Sequence, residues 1–320
     1  HLYLNLCMRI SGFTFIRNAD KLSYPIRESL MSLLPLVDEL VIAVGDNDPG
    51  DSTLDLIHAI NSPKIRIIHT VWDTKTYPKA QVYAQQTDLA RANCTGDWLF
   101  YLQGDEVLHE MDYATIRSRC EELLENHEIE GLLFNYFHFW ADYRHQNRSH
   151  SAYSHEIRII RNRPDIHSFG DAQGFRRIPE FTGNYRQKEG VYKLKVARVN
   201  AAIYHYGWVR PPDFMMQKRK MSNTLHHGAG TTTENFTATK FDYGPVGRKP
   251  LFKGTHPAIM NERIAQFNWG DQLNYSKHQK KINRPLQKHE KLKYRIWSWF
   301  EIYVFRKQIF TAARYVVKRV

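Results

Sequence analysis

The chain has little cysteine, no long apolar run and, near its end, almost no acid; each shortage excludes something. The three cysteines in 320 residues, Cys7, Cys94 and Cys120, form neither a CxxC pair nor any other metal-ligand spacing. They provide no disulfide framework and suit a reducing compartment. No segment reaches the roughly 18 uninterrupted apolar residues of a membrane span. The opening HLYLNLCMRI has neither an initiating methionine nor a signal-peptide layout. The expected location is cytoplasmic, peripheral to the inner face of the cell membrane. From Ser276 to Val320, thirteen Lys and Arg face only Glu290 and Glu301. That stretch carries +11 of the formal +12, leaving +1 for everything before it. The basic character therefore belongs to a tail, and no nucleic-acid partner is expected of the body.

Hydrophobic spacing supplies the elements. Leu22, Ile26, Leu30, Leu33 and Leu34 recur at helical intervals, and ELVIAV (Glu39–Val44) reads as a buried strand. After the turn-rich GDNDPGDST come a short helix with Leu54 and Ile57, a strand at Lys64–Thr70, a helix through Ala84–Ala92 and the strand DWLFYL (Asp97–Leu102). Asp112 is placed to cap a helix bearing Ile116, Cys120, Leu123 and Leu124. GLLFNYFHF, EIRIIR and VNAAIYHY are further strands, and beyond Pro211 the pattern becomes loop-like. Strands alternating with helices predict an α/β fold, with a largely parallel central sheet covered on both faces.

One strand ends oddly. FYLQGDEVLHE runs from apolar residues straight into Gln103, Gly104, Asp105 and Glu106. Ligands of open α/β sheets sit beyond the carboxyl ends of the strands, and Asp46 and Asp48 follow Val44 in the same way. Two acidic loops converging on one crevice repel unless a positive charge lies between them. A divalent metal bridging to a diphosphate meets that need; ordinary turns and caps are the plainer alternative.

These segments, read together, resemble the family 2 glycosyltransferases of GT-A fold, over about residues 11–220. FTFIRNADKLSYPIRESLMSLLPLVDELVIAVGDNDPGDSTLDLI is similar to the family's opening, and TDLARANCTGDWLFYLQGDEVLHE to its central segment. The resemblance implies a GT-A-like domain over 1–215, an irregular acceptor-side region over 216–285 and a basic, aromatic, helical tail over 286–320. It also implies that Phe15, Arg17 and Asp46 hold the nucleotide base and ribose. Asp105 matches the last Asp of the family's D-x-D motif, which reaches the metal and the donor diphosphate. The first Asp of that motif is Gln103 here, a donor-side amide without charge. Glu106 is a candidate to compensate, although neighbours on a strand point to opposite faces.

The same resemblance implies that Asp171, in SFGDAQGF, is the general base of an inverting transfer, with Glu180 and Asp165 as rivals. His205, in the setting HYGW, matches a histidine that completes the coordination of Mn2+ or Mg2+. Trp208 and Arg210 could line the sugar or diphosphate site, and His256 and Pro257 belong to an acceptor cleft or to a structural loop. The implied reaction moves a sugar from a nucleotide diphosphate donor, a UDP-sugar, to a hydroxyl on a carbohydrate or lipid-linked acceptor, as in polysaccharide or glycolipid assembly. A nucleotidyltransferase is disfavoured because GFTFIRNADK offers no Gly-rich phosphate cradle; a degenerate nucleotide-sugar-binding module is favoured only by Gln103. In the tail, Ile296, Trp299, Phe300 and Tyr303 stand at helical spacing among Lys and Arg, as in a helix lying on an anionic membrane surface.

Overall fold

The computed structural model describes residues 8–228, 238–278, 284, 286–305 and 314–320. Cys7, positions 229–237 of the loop read after Pro211, and Arg306 and Lys307 of the tail lie outside the described residues. In chain order the strands are β1 (Ile10–Ile16), β2 (Glu39–Val44), β3 (Ile65–His69), β4 (Trp98–Tyr101), β5 (Glu106–Leu108), β6 (Gly131–Trp140), β7 (His155–Arg161), β8 (Ile166–Phe169), β9 (Gly174–Arg177), β10 (Tyr192–Lys193), β11 (Lys195–Trp208) and β12 (Val316–Val317). The α-helices are α1 (Ile26–Leu33), α2 (Thr53–His58), α3 (Gln81–Arg91), α4 (Tyr113–Glu122), α5 (Pro212–His227), α6 (Asn261–Ala265) and α7 (Leu292–Trp299).

The main sheet has the order β12-β11-β6-β7-β4-β1-β2-β3, with β5 joined antiparallel to β11. β1, β2, β3 and β4 pair in parallel, as do β6 and β11, and only β7 runs against its neighbours on this path. This is the expected α/β architecture. Alternation along each strand fills two cores. Ile10, Leu40, Ile42, Trp98 and Phe100 pack beneath α1, α2 and α4, while Phe13, Val41, Ala43, Leu99 and Tyr101 face α3 and the small sheet β8-β9-β10. Because one face is buried under helices and the other under helix and sheet, these strands read as nearly unbroken apolar runs. Cys94 and Cys120 are buried and free.

Three expectations change. Leu22 precedes α1 rather than joining it, in a turn closed by Leu22 N–H to Asn18 O at 3.1 Å. Asp112 stands before α4 but makes no side-chain cap; its Oδ2 instead accepts Ala202 N–H of β11 at 3.0 Å. The chain beyond Pro211 is not merely loop. Pro212 opens the 16-residue α5 from the first-turn position that tolerates a missing N–H. Met215 and Met216 then seat α5 in a cluster with Trp140, Phe241 and Tyr243. A division at residue 215 would cut this helix. The tail also returns to the body, since β12 pairs in parallel with β11.

Candidate active site

The parallel strands deliver their loops to one edge of the sheet. Phe15 and Arg17 end β1, Asp46 follows β2, Trp72 follows β3, Gln103 and Asp105 follow β4, and His205 lies near the end of β11. The structure thus brings these predicted residues to one edge of the sheet, in two groups.

In the first group three aromatics form a box. The Phe15 and Tyr83 rings stack with centroids 5.6 Å apart, and Trp72 meets Tyr83 edge-on at 5.4 Å. Asp46 fixes the box: its Oδ1 accepts Trp72 N–H at 3.0 Å, and its carbonyl accepts Arg17 Nε–H at 2.8 Å. Arg17 also lies over the Trp72 ring at 5.5 Å. A β-carbon on Gly45 would lie 2.5 Å from Trp72 Nε1, so only glycine lets the indole close here. Trp72 and Tyr83 carry no sequence signal. They are 11 residues apart, and only the β3–α3 connection makes them neighbours.

The second group is built on Asp105. Asp105 and Glu106 part as their positions dictate, and Glu106 does not compensate for Gln103. Both Glu106 oxygens are held by Arg158 at 2.8 Å, with each side chain fully buried, and Tyr136 O–H donates to Oε1 at 2.8 Å. Gln103 spends its amide on Tyr101 and on the carbonyl of Ala172, at 3.3 and 3.2 Å. The second tie fastens the Asp171 turn to the Asp105 loop.

Asp105 points into cationic company. Lys218 of α5 donates to its Oδ2 at 3.0 Å, and Arg210 Nη2 stands 3.8 Å from the same oxygen. Burial alone would push the Asp105 carboxyl up, but the positive charges of Lys218 and Arg210, joined by His205 only in acid where its ring is protonated, outweigh that and hold it well below the ordinary range. Burial, with Arg210 nearby, lowers the Lys218 ammonium to about 8. Arg210 is no surface charge: it is 1% exposed, lies 4.3 Å over Tyr24, and its Nη2 has no hydrogen-bond partner. A buried guanidinium nitrogen left unpaired is costly, and its natural complement is an anion. Trp208 packs on Trp140 at 4.9 Å. Lys218 was missed from the sequence, because 113 residues separate it from Asp105.

Asp105 Oδ1 faces His205 Nε2 at 3.7 Å. The tautomer of His205 follows from its neighbours. The carbonyl of Tyr153 can only accept, so His138 donates to it through Nε2, at 2.7 Å. His138 Nδ1 and His205 Nδ1 are 2.9 Å apart. Burial keeps both imidazoles neutral, lowering His138 to about 3 and His205 to about 4. His138 Nδ1 is therefore the acceptor and His205 Nδ1 the donor, which leaves a lone pair on His205 Nε2 aimed at a carboxylate oxygen. Two lone pairs face each other across a gap that a β-carbon on Gly207 would fill, touching His205 Nε2 and lying 2.9 Å from Asp105 Oδ2. Such a donor pair, oriented by a relay to a backbone carbonyl, fits a divalent cation. Among the described residues no group of three or more His, Cys, Asp or Glu converges, so the protein itself brings two donors to this gap.

Asp171 occupies the β8–β9 turn, between Gly170 and Ala172, both at positive φ (68° and 64°). Among the described residues its carboxylate makes no hydrogen bond or ion pair, and its charge is felt by His226 of α5. The rivals are placed differently. Asp165 is locked to Arg163 at 2.8 Å, and Glu180 is exposed on a loop that its own carbonyl ties to Gln187. His256 bridges Tyr206 and the carbonyl of Tyr143 at 2.7 and 2.8 Å, which makes FKGTHPAIM a structural loop.

No family model and no curated protein matches the chain. Among solved structures it is similar to S. aureus TarS, at 12% identity and a TM-score of 0.36, over 68% of this chain and 39% of that one. It is also similar to glucosyl-3-phosphoglycerate synthase from Mycobacterium tuberculosis, in complex with Mn2+, UDP and phosphoglyceric acid (17% identity, TM-score 0.28, 41% of this chain and 44% of that one). A third is a mannosyltransferase from Pyrobaculum calidifontis in complex with GDP-Man and Mn2+ (16%, TM-score 0.30, 39% and 34%). The chain spans less than half the length of each of these proteins.

Proposed function

We propose that the protein is an inverting glycosyltransferase that moves a sugar from a UDP-sugar to a hydroxyl acceptor. The observation that carries this reading is the cluster at Asp105. One oxygen and the His205 lone pair make a cation site, and beside the other oxygen stand the partly exposed Lys218 and the buried Arg210, which keeps one N–H group unpaired. Tyr83 of the aromatic box feels the charge of both Asp105 and the free Asp171 carboxylate.

The chemistry follows from that order. The base stacks in the aromatic box, with Asp46 and Arg17 positioned for its polar edge and the ribose. The diphosphate then reaches Lys218 and Arg210, whose positive charges meet the negative charge that grows as the bond from the sugar's anomeric carbon to the diphosphate oxygen breaks. Mn2+ or Mg2+ held by Asp105 and His205 would add Lewis-acid charge to the same diphosphate. Asp171 takes the proton of the acceptor hydroxyl as its oxygen bonds to the anomeric carbon from the opposite face. A cavity of about 240 Å³ beside Lys218 and His226 offers the sugar a place between diphosphate and base.

The test is a split between turnover and binding. Asp171→Asn should lower transfer by about 10² or more while UDP affinity, read by calorimetry, stays within twofold. A loss of donor affinity instead, or a dead Glu180→Gln, would assign the base elsewhere. Full activity of Asp171→Asn would likewise move the base elsewhere, whereas UDP binding by a wild type that neither transfers sugar nor hydrolyses the nucleotide sugar in Mn2+ would leave only a nucleotide-sugar-binding module, the reading that Gln103 favours.

Attachment to an anionic membrane surface is part of the same proposal. Helix α7 and the π-helical turn that continues it (Phe300–Val304) dock through their other face, where Glu301 pairs with His150 at 2.9 Å and Ser298 accepts His150 N–H at 2.8 Å. Ile296, Trp299, Phe300 and Tyr303 are left exposed, by 41–66%, beside Lys291, Lys293 and Arg295. Each basic residue near such a surface contributes on the order of 1 kcal/mol. Co-sedimentation with anionic but not neutral vesicles, lost in Trp299→Glu/Tyr303→Glu, is the expected result; no retention on either kind of vesicle refutes the attachment.

A further inference from the structure

A second, larger cavity of about 650 Å³ is lined by Asp171, and none of its lining residues belongs to the Asp105–Lys218–Arg210 cluster. Asp171 is the acid in its lining; Arg176, Arg186, Lys188 and Arg314 are its cations. They come from three separate places, namely β9, the loop before β10, and the returning tail, so no single local charge run explains their meeting.

Little on the protein neutralises them. Arg176 donates to the carbonyl of Phe175 and Arg186 to that of Lys79, each at 2.8 Å, contacts that orient a guanidinium without cancelling its charge. Arg314 donates to Gln173 and lies 3.6 Å from Glu156. Glu156 is a weak counter-charge, because burial pushes its carboxyl up to about 7, against the pull of Arg158 and Arg314. Its Oε1 is buried without a hydrogen-bond partner. Guanidinium groups that line a cavity with Glu156 as their weak counter-charge match the planar, bidentate geometry of phosphate and carboxylate.

A general base has to touch the acceptor hydroxyl. The donor diphosphate is accounted for elsewhere, at Asp105, Lys218 and Arg210, none of which lines this cavity. What fills the cavity that Asp171 itself lines is then the acceptor. We infer that the acceptor carries an oxyanion, a phosphate or carboxylate, which Arg176, Arg186, Lys188 and Arg314 bind while its hydroxyl is presented to Asp171. This inference rests on the glycosyltransferase reading for the role of Asp171, but the oxyanion site can be tested apart from it.

The experiment titrates the full-length protein, with and without UDP, with glycerol 3-phosphate, glucose 6-phosphate and galacturonate. Each is run against its uncharged counterpart, glycerol, glucose or galactose. The charged members should bind at least about tenfold more tightly, and less so as salt is raised. Comparison of the phosphates with galacturonate says which oxyanion is preferred. Lys188→Glu, at an exposed position that does not threaten folding, and Arg176→Gln should each weaken that binding about fivefold or more and leave UDP affinity unchanged. Equal binding of charged and neutral members, or charged binding untouched by both substitutions, overturns the inference. A chain that fails to bind UDP overturns the donor reading instead, and the nucleotide-free titration still decides this one.

Discussion

Asp105→Asn should abolish sugar transfer, with a loss of about 10³-fold or more, since it removes the cation ligand and the partner that holds Lys218. Metal-dependent UDP binding should go with it. The fold should also weaken. Arg210 and Lys218 lose their counter-ion inside the protein, and breaking a buried pair costs about 3–5 kcal/mol. Lys218 softens that cost, because an ammonium already lowered to about 8 sheds its proton readily. Arg210 cannot. Low pH gives a separate signature. The folded Asp105 carboxyl ionises well below its unfolded value, because Lys218 and Arg210, joined in acid by His205, outweigh its burial. Its contribution is therefore complete above about pH 4 and drains away as the pH falls through the folded value. Urea unfolding between neutral and acid pH should accordingly show a flatter acid limb for the variant than for the wild type. Unchanged UDP affinity in Mn2+ together with turnover within tenfold would remove Asp105 from the site.

Arg158→Met should be the most damaging substitution for stability, by about 3–5 kcal/mol, since it strands the Glu106 carboxylate in a fully buried position. Glu106→Gln should cost a similar amount for the reverse reason. Changing both, to Leu at 106 and Met at 158, should recover most of the loss, with an interaction energy of at least about 2 kcal/mol in a double-mutant cycle by urea unfolding. Additive losses would mean that the two groups do not depend on each other. The single substitution at Arg158 should also slow transfer without touching the aromatic box. Arg158 donates to the carbonyl of Gln173 at 3.2 Å, and Glu106 accepts Gln103 N–H at 3.1 Å, so the pair ties the Asp171 turn to the loop that carries Asp105.

Glu106 and Asp105 show why adjacent carboxylates can have unrelated purposes. In the sequence both read as the acidic end of one strand, and either could stand in for the charge missing at Gln103. Their side chains leave the backbone in opposite directions. One enters the core to meet Arg158 of β7, 52 residues later, and the other enters the crevice to meet Lys218. The C-terminal helix teaches a similar lesson. Spacing identified Ile296, Trp299, Phe300 and Tyr303 as one face, yet the structure buries Glu301 of the opposite side against His150 and leaves that face in solvent. Periodicity says which residues share a side of a helix, and only the available partner says which side is covered.

Local sequence determined the strands, the alternation with helices, and hence the edge at which the loops meet. Apolar runs such as Glu39–Val44 and Asp97–Leu102 have few other ways to be buried, and parallel strands place their carboxyl ends together. Phe15, Asp46, Asp105, Asp171 and His205 came from the resemblance of these segments to a family rather than from spacing; the structure sets Phe15, Asp46, Asp105 and His205 at or near strand ends of the main sheet and Asp171 on the β8–β9 turn of the small one. The tertiary structure alone decided the charge around them. The proton on His205 depends on His138 and Tyr153, the anion-seeking Arg210 on its burial beneath Tyr24, and Lys218 on where α5 settles. Electrostatic energy depends on distance in space and on the water excluded from the gap, and neither quantity is written along the chain.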